Sequence, residues 1–266
     1  MKKYRVRALV GKELREVSRN LAVLLPVGIV TMVALVLPFV VAMGIPAITG
    51  HPLGDDRDLV NVSGAIPGPG YLAGEARVQY FLFQQFLLVF LLMPITGAMA
   101  LAAHAVVGEK QARTLEPLLA TPVTTAELLV AKVLGALAPT LGIALPGLVL
   151  YFAGIAALAE PGVLRAMLVP RTLLMIGLLG PAAALVSLQA AIVVSSRVND
   201  ARTAQQFGVL LILPLTVVLI AQFTGSLWLT TAQLALIGLG LLALWAALTL
   251  VSVVLFERET ILTRWR

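Results

Sequence analysis

Residues 21–43 read LAVLLPVGIVTMVALVLPFVVAM, which is 23 residues without an acidic or basic side chain. Because an α-helix rises 1.5 Å per residue, about 20 such residues cross the ~30 Å hydrocarbon layer of a bilayer. The stretch is longer than the apolar core of a cleaved signal peptide, which has roughly 7–15 residues, and no clear small-x-small cleavage site follows it. It predicts a retained first membrane span.

The rest of the chain repeats this pattern. It is 60% hydrophobic and only 12% charged, whereas a soluble domain carries about twice that charge. The uncharged run 203–256 has 54 residues, enough for two spans, and the polar, glycine-containing residues 223–231 predict the turn between them. The fold class is therefore all-α, a single polytopic membrane domain over residues 1–266. Its six spans are predicted at about 21–43, 80–107, 133–157, 172–196, 206–223 and 232–256.

The basic residues predict the orientation of these spans. Fifteen of the nineteen Lys and Arg residues fall in the segments that six spans place on the side of the N-terminus. Since basic loops stay in the cytoplasm, both termini are predicted to be cytoplasmic, in a multi-pass protein of the cell (inner or plasma) membrane.

The N-terminal segment 4–20 predicts a helix lying on the lipid surface. Apolar residues recur at helical spacing, and charged residues, Glu13 among them, cover the other face. The apolar positions are Val6, Val10, Leu14, Val17 and Leu21. The alternative is an unstructured basic flank that only sets the topology.

Several chemistries are disfavoured or excluded. The chain has no cysteine, and its two histidines, His51 and His104, fall on opposite sides of the membrane, so no metal site is expected. Asp55, Asp56 and Asp58 lack the later glycine and glutamate of a calcium loop and predict a solvated loop. The net charge of +6 is distributed in loops beside the membrane, so nucleic-acid binding is not expected.

No catalytic motif and no phosphate-binding glycine-rich loop occur, so the chain is not expected to be an enzyme or to bind a cofactor. The predicted span centres contain no ionisable residue, which weakens the case for a proton- or sodium-coupled carrier. Neutral polar residues do occur in or near the spans, where they line a path or hydrogen-bond between helices. They are Gln84, Gln85, Thr96, Ser187, Gln189 and Gln222. Ala183, Ser187 and Ala191 form a small-residue stripe typical of a close helix contact.

The loop after the second span, residues 108–132, has the pattern of a short helix, a break, and the start of a second helix. Leu115, Leu118 and Leu119 give the helix an apolar face, and Thr121-Pro122 ends it. Thr124 and Glu127 have the spacing of a capping box, which starts a helix leading into the third span. Periodicity alone fits a rigid element that transmits a partner's movement and an ordinary interfacial turn equally well.

This loop resembles the signature of the ABC type-2 permeases, the membrane subunits of ATP-binding-cassette exporters. Its pattern is Glu-x-x-x-x-Thr-Leu-Glu-x-Leu-Leu-x-Thr-Pro-Val followed by Glu and Lys. The matching positions are Glu109, Thr114, Leu115, Glu116, Leu118, Leu119, Thr121, Pro122, Val123, Glu127 and Lys132. Arg113 stands where the family usually has glycine. Residues 195–206 and 256–265 are also similar to family members.

The resemblance implies a six-helix permease that pairs with a second copy or a paralogue. Each permease binds a separate ATPase subunit, which holds the ATP and magnesium. The cytoplasmic coupling helix that docks on this ATPase then comprises Glu109, Arg113, Thr114, Leu115, Glu116, Leu118, Leu119, Thr121 and Pro122. Residues between the last two spans, with Pro214 and Gly225, fit a re-entrant pair of helices. The alternatives are a carrier or channel acting without ATP, and a non-transporting assembly component that uses the same ATPase.

Overall fold

The computed structural model describes residues 3–111, 124–198, 203, 206, 213, 216–218 and 220–255. These residues form helices without strands, which confirms the predicted all-α class. Five helices are long and apolar enough to cross a membrane: Leu24–Thr49, Gly74–Glu109, Thr125–Leu158, Pro170–Ser196 and Thr231–Leu255. They match five of the six predicted spans. The span at 206–223 lies mostly outside the described residues, so the count of six stays a prediction.

Ten α-helices follow one another along the described chain. They are α1 (Lys3–Arg19), α2 (Leu21–Phe39), α3 (Ile45–Thr49), α4 (Arg57–Ala65), α5 (Gly74–Gln111), α6 (Thr125–Leu158), α7 (Val163–Met167), α8 (Pro170–Leu174), α9 (Gly180–Arg197) and α10 (Thr231–Leu255). A π-helical turn joins α2 to α3, and a second π-helical turn, Met175–Leu179, joins α8 to α9. The second turn lies just before Pro181, whose ring would clash with the carbonyl of Gly177 in a regular helix.

The helix α5 is the most buried of the five candidate spans and packs along α9. Ser187 of α9 donates a hydrogen bond from Oγ to the carbonyl of Ile95 at 3.1 Å. Ala183 and Ala191, four residues to either side, are buried. The small-residue stripe predicted for a close helix contact is confirmed.

An aromatic cluster joins α2, α5 and α6. The Tyr151 hydroxyl donates to the Phe83 carbonyl at 2.7 Å, and the rings of Phe39, Phe83 and Phe90 lie 5.8, 6.0 and 6.1 Å from the Tyr151 ring. Gly154 makes room for Phe39, because a Cβ there would lie 2.5 Å from that ring. This cluster fixes how the first three spans pack.

The segment predicted as a solvated loop, residues 44–79, contains more regular structure than expected. A short 3₁₀ turn, Leu53–Asp55, precedes α4, and Asp56 caps α4 by accepting hydrogen bonds from the amides of Asp58 and Leu59. Arg77 at the start of α5 donates hydrogen bonds to the carbonyls of Ser63 and Ile66. These bonds attach α4 and the residue after it to α5. The acidic residue Asp56 thus has a capping role.

Candidate functional site

The predicted docking residues begin in the last turn of α5 and continue in sequence toward the start of α6. Glu109 lies in the last turn of α5 and is only 4% exposed. The other docking residues lie outside the described residues: Arg113, Thr114, Leu115, Glu116, Leu118, Leu119, Thr121 and Pro122. The structure therefore describes the two helices that carry the segment 112–123, and the contacts that hold those helices together.

Four charged side chains meet at this end of the bundle, and we call Lys12, Glu13, Glu109 and Lys132 the charged cluster. The Glu109 carboxylate lies 2.6 Å from Nζ of Lys12 and 2.6 Å from Nζ of Lys132. Lys132 also lies 3.4 Å from the Glu13 carboxylate and is 1% exposed. The cluster links α1, α5 and α6, which are distant in sequence.

The cluster contains two carboxylates and two ammonium groups, so its formal charges cancel. Burial raises the pKa of Glu13, and the positive charge of Lys132 opposes that effect only in part. Burial lowers the pKa of Lys12, but the hydrogen bond to Glu109 and the surrounding carboxylates outweigh it, so the pKa is raised. The Lys12 ion pair therefore stabilises the fold fully at pH values below the ordinary pKa of lysine. This contribution is lost as the pH rises through the raised pKa that Lys12 has in the folded protein. Ionised Glu13 depends on its cationic neighbours to offset the cost of burial.

The helix α1 approaches α6 closely because residue 135 is glycine. A Cβ at Gly135 would collide with the side chain of Glu13. Glu13 is only 4% exposed, whereas its place on the charged face of the predicted surface helix implied contact with headgroups and water. Its burial was not predicted from the helical pattern, and it is possible because Lys132 compensates the charge inside the protein. The placement of α1 at a membrane surface stays a prediction.

The start of α6 carries the capping box predicted from its sequence. Thr124 Oγ1 accepts a hydrogen bond from the Glu127 amide at 3.2 Å, and the Glu127 carboxylate accepts one from the Thr124 amide at 3.1 Å. Arg5 of α1 lies 4.0 Å from the same carboxylate. Since Lys12 pairs with Glu109, α1 has a charged contact on each side of the segment 112–123. A third polar contact, 2.7 Å between Asn20 and His104, attaches the end of α1 to α5.

A second polar cluster forms toward the other end of α5, beside the start of α8. Arg171, 7% exposed at the start of α8, donates to Oε1 of Gln84 at 2.9 Å and to Oε1 of Gln222 at 3.3 Å. It also donates to the Leu229 carbonyl at 3.1 Å, and its guanidinium lies 3.6 Å from the centre of the Trp228 ring. We call these five residues the arginine cluster. The turn that follows residue 223 is thereby attached to α5 and α8, and it contains Gly225 with a φ of 70°.

A family profile described as "ABC-2 family transporter protein" matches residues 7–233, which is most of the chain. The chain belongs to this family. No curated protein and no solved structure matches it significantly. The resemblance seen in residues 108–132 is confirmed by a match that also includes both polar clusters. As an ABC-2 family transporter, the chain is a multi-pass membrane protein and a non-enzymatic membrane subunit.

The two clusters of this ABC-2 transporter differ in how many of their residues were predicted from the sequence. Glu109, Glu127 and Lys132 stood out as positions of the family pattern, but nothing singled out Lys12 or Glu13 as their partners. Gln84, Gln85 and Gln222 were noted as neutral polar residues near the spans, and the structure brings all three together, with Gln85 donating to the Gln222 carbonyl at 3.3 Å. Arg171 was counted only as one basic residue of a loop. The signal that could have identified it is an arginine next to a predicted span in a chain whose other spans carry buried-type glutamines.

Proposed function

We propose that this chain is the membrane-spanning permease of an ATP-driven exporter. In this proposal it has six spans and cytoplasmic termini, and it forms the translocation path with a second copy or a paralogue. A separate ABC ATPase subunit, which binds the ATP and magnesium, docks on the residues from Glu109 to Pro122. Family membership supports the transporter role and the ATPase partnership.

The observation that carries the coupling proposal is the double attachment of α1 on both sides of the segment 112–123. Lys12 contacts Glu109 before the segment, and Arg5 approaches Glu127 after it. A segment that transmits movement must be joined firmly to the helices it moves, and packed helices with buried ion pairs shift as units. The three helices α1, α5 and α6 would therefore respond together when an ATPase pulls or pushes the segment.

The docking experiment replaces two apolar side chains of the predicted coupling helix. Leu118→Asp/Leu119→Asp would place two carboxylates in an apolar contact, where each unpaired charge costs several kcal/mol, about a thousandfold or more in affinity. We expect the ATPase subunit to be lost when the tagged permease is purified from membranes. The measurement is the molar ratio of ATPase to permease in the eluate.

The matched control adds two carboxylates at the other end of the bundle. Thr224→Asp/Ser226→Asp changes two exposed residues of the turn and should leave the ATPase ratio unchanged. An unchanged ratio in the Leu118/Leu119 variant, with normal permease yield, would refute the docking assignment.

Two further observations would favour the alternative functions. Transport by the permease alone in liposomes would favour a carrier or channel that acts without ATP. If deletion of the chain removes a surface complex rather than export of a compound, the assembly component is favoured.

A further inference from the structure

Arg171 joins both ends of one turn to the bundle, and we call this turn, residues 224–230, the outer turn. The guanidinium donates to the Leu229 carbonyl at 3.1 Å, and to Oε1 of Gln222, just before the turn, at 3.3 Å. A third hydrogen bond, 2.9 Å long, goes to Oε1 of Gln84 on α5. Arg171 itself lies in the first turn of α8. A single guanidinium therefore attaches the outer turn to two helices.

These contacts hold a positive charge with neutral partners. No ion pair among the residues that the structure describes includes Arg171, and its acceptors are two amide oxygens and one backbone carbonyl. The Trp228 ring covers one face of the guanidinium at 3.6 Å. The hydrogen bonds and the cation–π contact offset the cost of removing the charge from water, and a released guanidinium would regain its hydration. An apolar contact would gain nothing comparable on opening, so this attachment is suited to reversible release.

Two more polar atoms at the same place would gain access to water when the outer turn is released. Gln85 Nε2 donates to the Gln222 carbonyl at 3.3 Å, so the two residues are in contact. Gln85 Oε1 and Gln222 Nε2 are buried and have no hydrogen-bond partner among the described residues. A buried donor or acceptor without a protein partner costs free energy, which contact with water removes. Release of the turn would expose both atoms and thereby lower the cost of opening.

We propose that Arg171 is a positioning residue for transport: it holds the outer turn against α5 and α8, and the turn moves away from both helices during the transport cycle. On release, the guanidinium exchanges its neutral acceptors for water. In the proposed orientation this end of α5 is the outer one, where an exporter must open to release its substrate. The release driven by ATP rests on the proposed function, whereas the attachment by Arg171 concerns this chain alone.

The test follows the fluorescence of Trp228, whose ring the guanidinium covers. In full-length protein carrying Trp245→Phe and Trp265→Phe, Trp228 is the remaining tryptophan. Quenching by acrylamide in nanodiscs measures how often the ring contacts water, and this quencher is neutral, so removing a charge does not change its local concentration. Arg171→Met should raise the quenching constant to that of an exposed tryptophan. Arg165→Met, the same substitution at an exposed arginine of α7, should leave it unchanged.

A disulfide provides a rescue that a misfolded variant would not show. The chain has no cysteine, and a Cβ at Gly225 of the outer turn would lie 3.5 Å from Cγ1 of Val62 on α4. Adding Val62→Cys/Gly225→Cys to Arg171→Met should attach the turn to α4 instead. Oxidation should then restore the low quenching, and a reductant should reverse the effect. Gln84→Leu removes one acceptor of Arg171 and should raise the fraction of released turn about fivefold.

The movement during the cycle is tested in the complex with the ATPase subunit. A non-hydrolysable ATP analogue should raise the quenching of Trp228 in the protein with native Arg171, and the oxidised disulfide should prevent that rise. Low quenching in Arg171→Met, equal effects of Arg171→Met and Arg165→Met, or a bound ATPase whose nucleotide leaves Trp228 unchanged would each overturn the proposal. If no ATPase binds the permease, the proposed function is contradicted instead, and the measurements without nucleotide still decide the role of Arg171.

Discussion

Replacing Lys132 with methionine is expected to destabilise the protein more than any other single substitution in the charged cluster. The side chain is 1% exposed and touches the carboxylates of both Glu13 and Glu109. Methionine has a similar length but no charge, so within the charged cluster two buried carboxylates would share the ammonium group of the partly exposed Lys12. Breaking a buried ion pair from one side costs about 3–5 kcal/mol. The measurement is the temperature at which half of the purified protein loses its monodisperse elution.

Two comparison variants separate charge imbalance from loss of packing. Glu16→Gln alters an exposed residue that pairs with Lys12 at 3.5 Å, and should change the transition temperature little. The triple variant Glu13→Gln/Glu109→Gln/Lys132→Met removes the three buried charges together and leaves only the partly exposed Lys12 charged. It should recover most of the lost stability, because neutral replacements of buried ion pairs are often tolerated. A triple variant as unstable as Lys132→Met would show that the charges themselves are not the cause.

Replacing Gly135 with valine is expected to separate α1 from α6. The first added carbon already overlaps the Glu13 side chain, so α1 must move away, and the contacts of Glu13, Lys12 and Arg5 would lengthen together. Overpacking of this kind costs about 1–3 kcal/mol. If the proposed coupling is correct, the larger consequence is functional: ATP hydrolysis by the co-purified ATPase should no longer respond to the permease. The measurement is ATPase activity of the purified complex in nanodiscs.

The helix α6 offers its own control for this substitution. Gly142 lies seven residues further along α6, and a Cβ there would meet no atom within 4 Å. Gly142→Val should therefore keep both stability and ATPase response close to those of the parent protein, although both variants add the same β-branched side chain to the same helix. Equal behaviour of the two variants would exclude the α1–α6 contact as the cause.

The spans and the capping box were predictable because each depends on residues close together in sequence. A run of about 20 apolar residues specifies a membrane helix without reference to the rest of the fold. The side chains of Thr124 and Glu127 each accept a hydrogen bond from the other residue's backbone amide within one helical turn. Their spacing alone was therefore sufficient to predict the start of α6. The stripe of Ala183, Ser187 and Ala191 predicted a close contact, although the partner, α5, was not specified by the sequence of α9.

The two polar clusters were not predictable because their members are far apart in the chain. Glu13 and Lys132 are separated by 119 positions, and Arg171 and Gln84 by 87. Hydropathy assigns each charged residue to a loop or a helix end, but it does not show which charges meet and become buried. The amphipathic pattern of residues 4–20 located the helix yet assigned Glu13 to the water-facing side, since periodicity carries no information about a partner such as Lys132.

The single helix α5 carries residues of both clusters, Gln84 near its beginning and Glu109 near its end. The 25 positions between them correspond to about 38 Å of helix, so one covalent element extends between the arginine cluster and the proposed ATPase contact. If a contact at either end alters the position of α5, thermodynamic linkage imposes reciprocity. Whatever factor a ligand bound at the arginine cluster exerts on the affinity for the ATPase, the ATPase must exert on the affinity for that ligand.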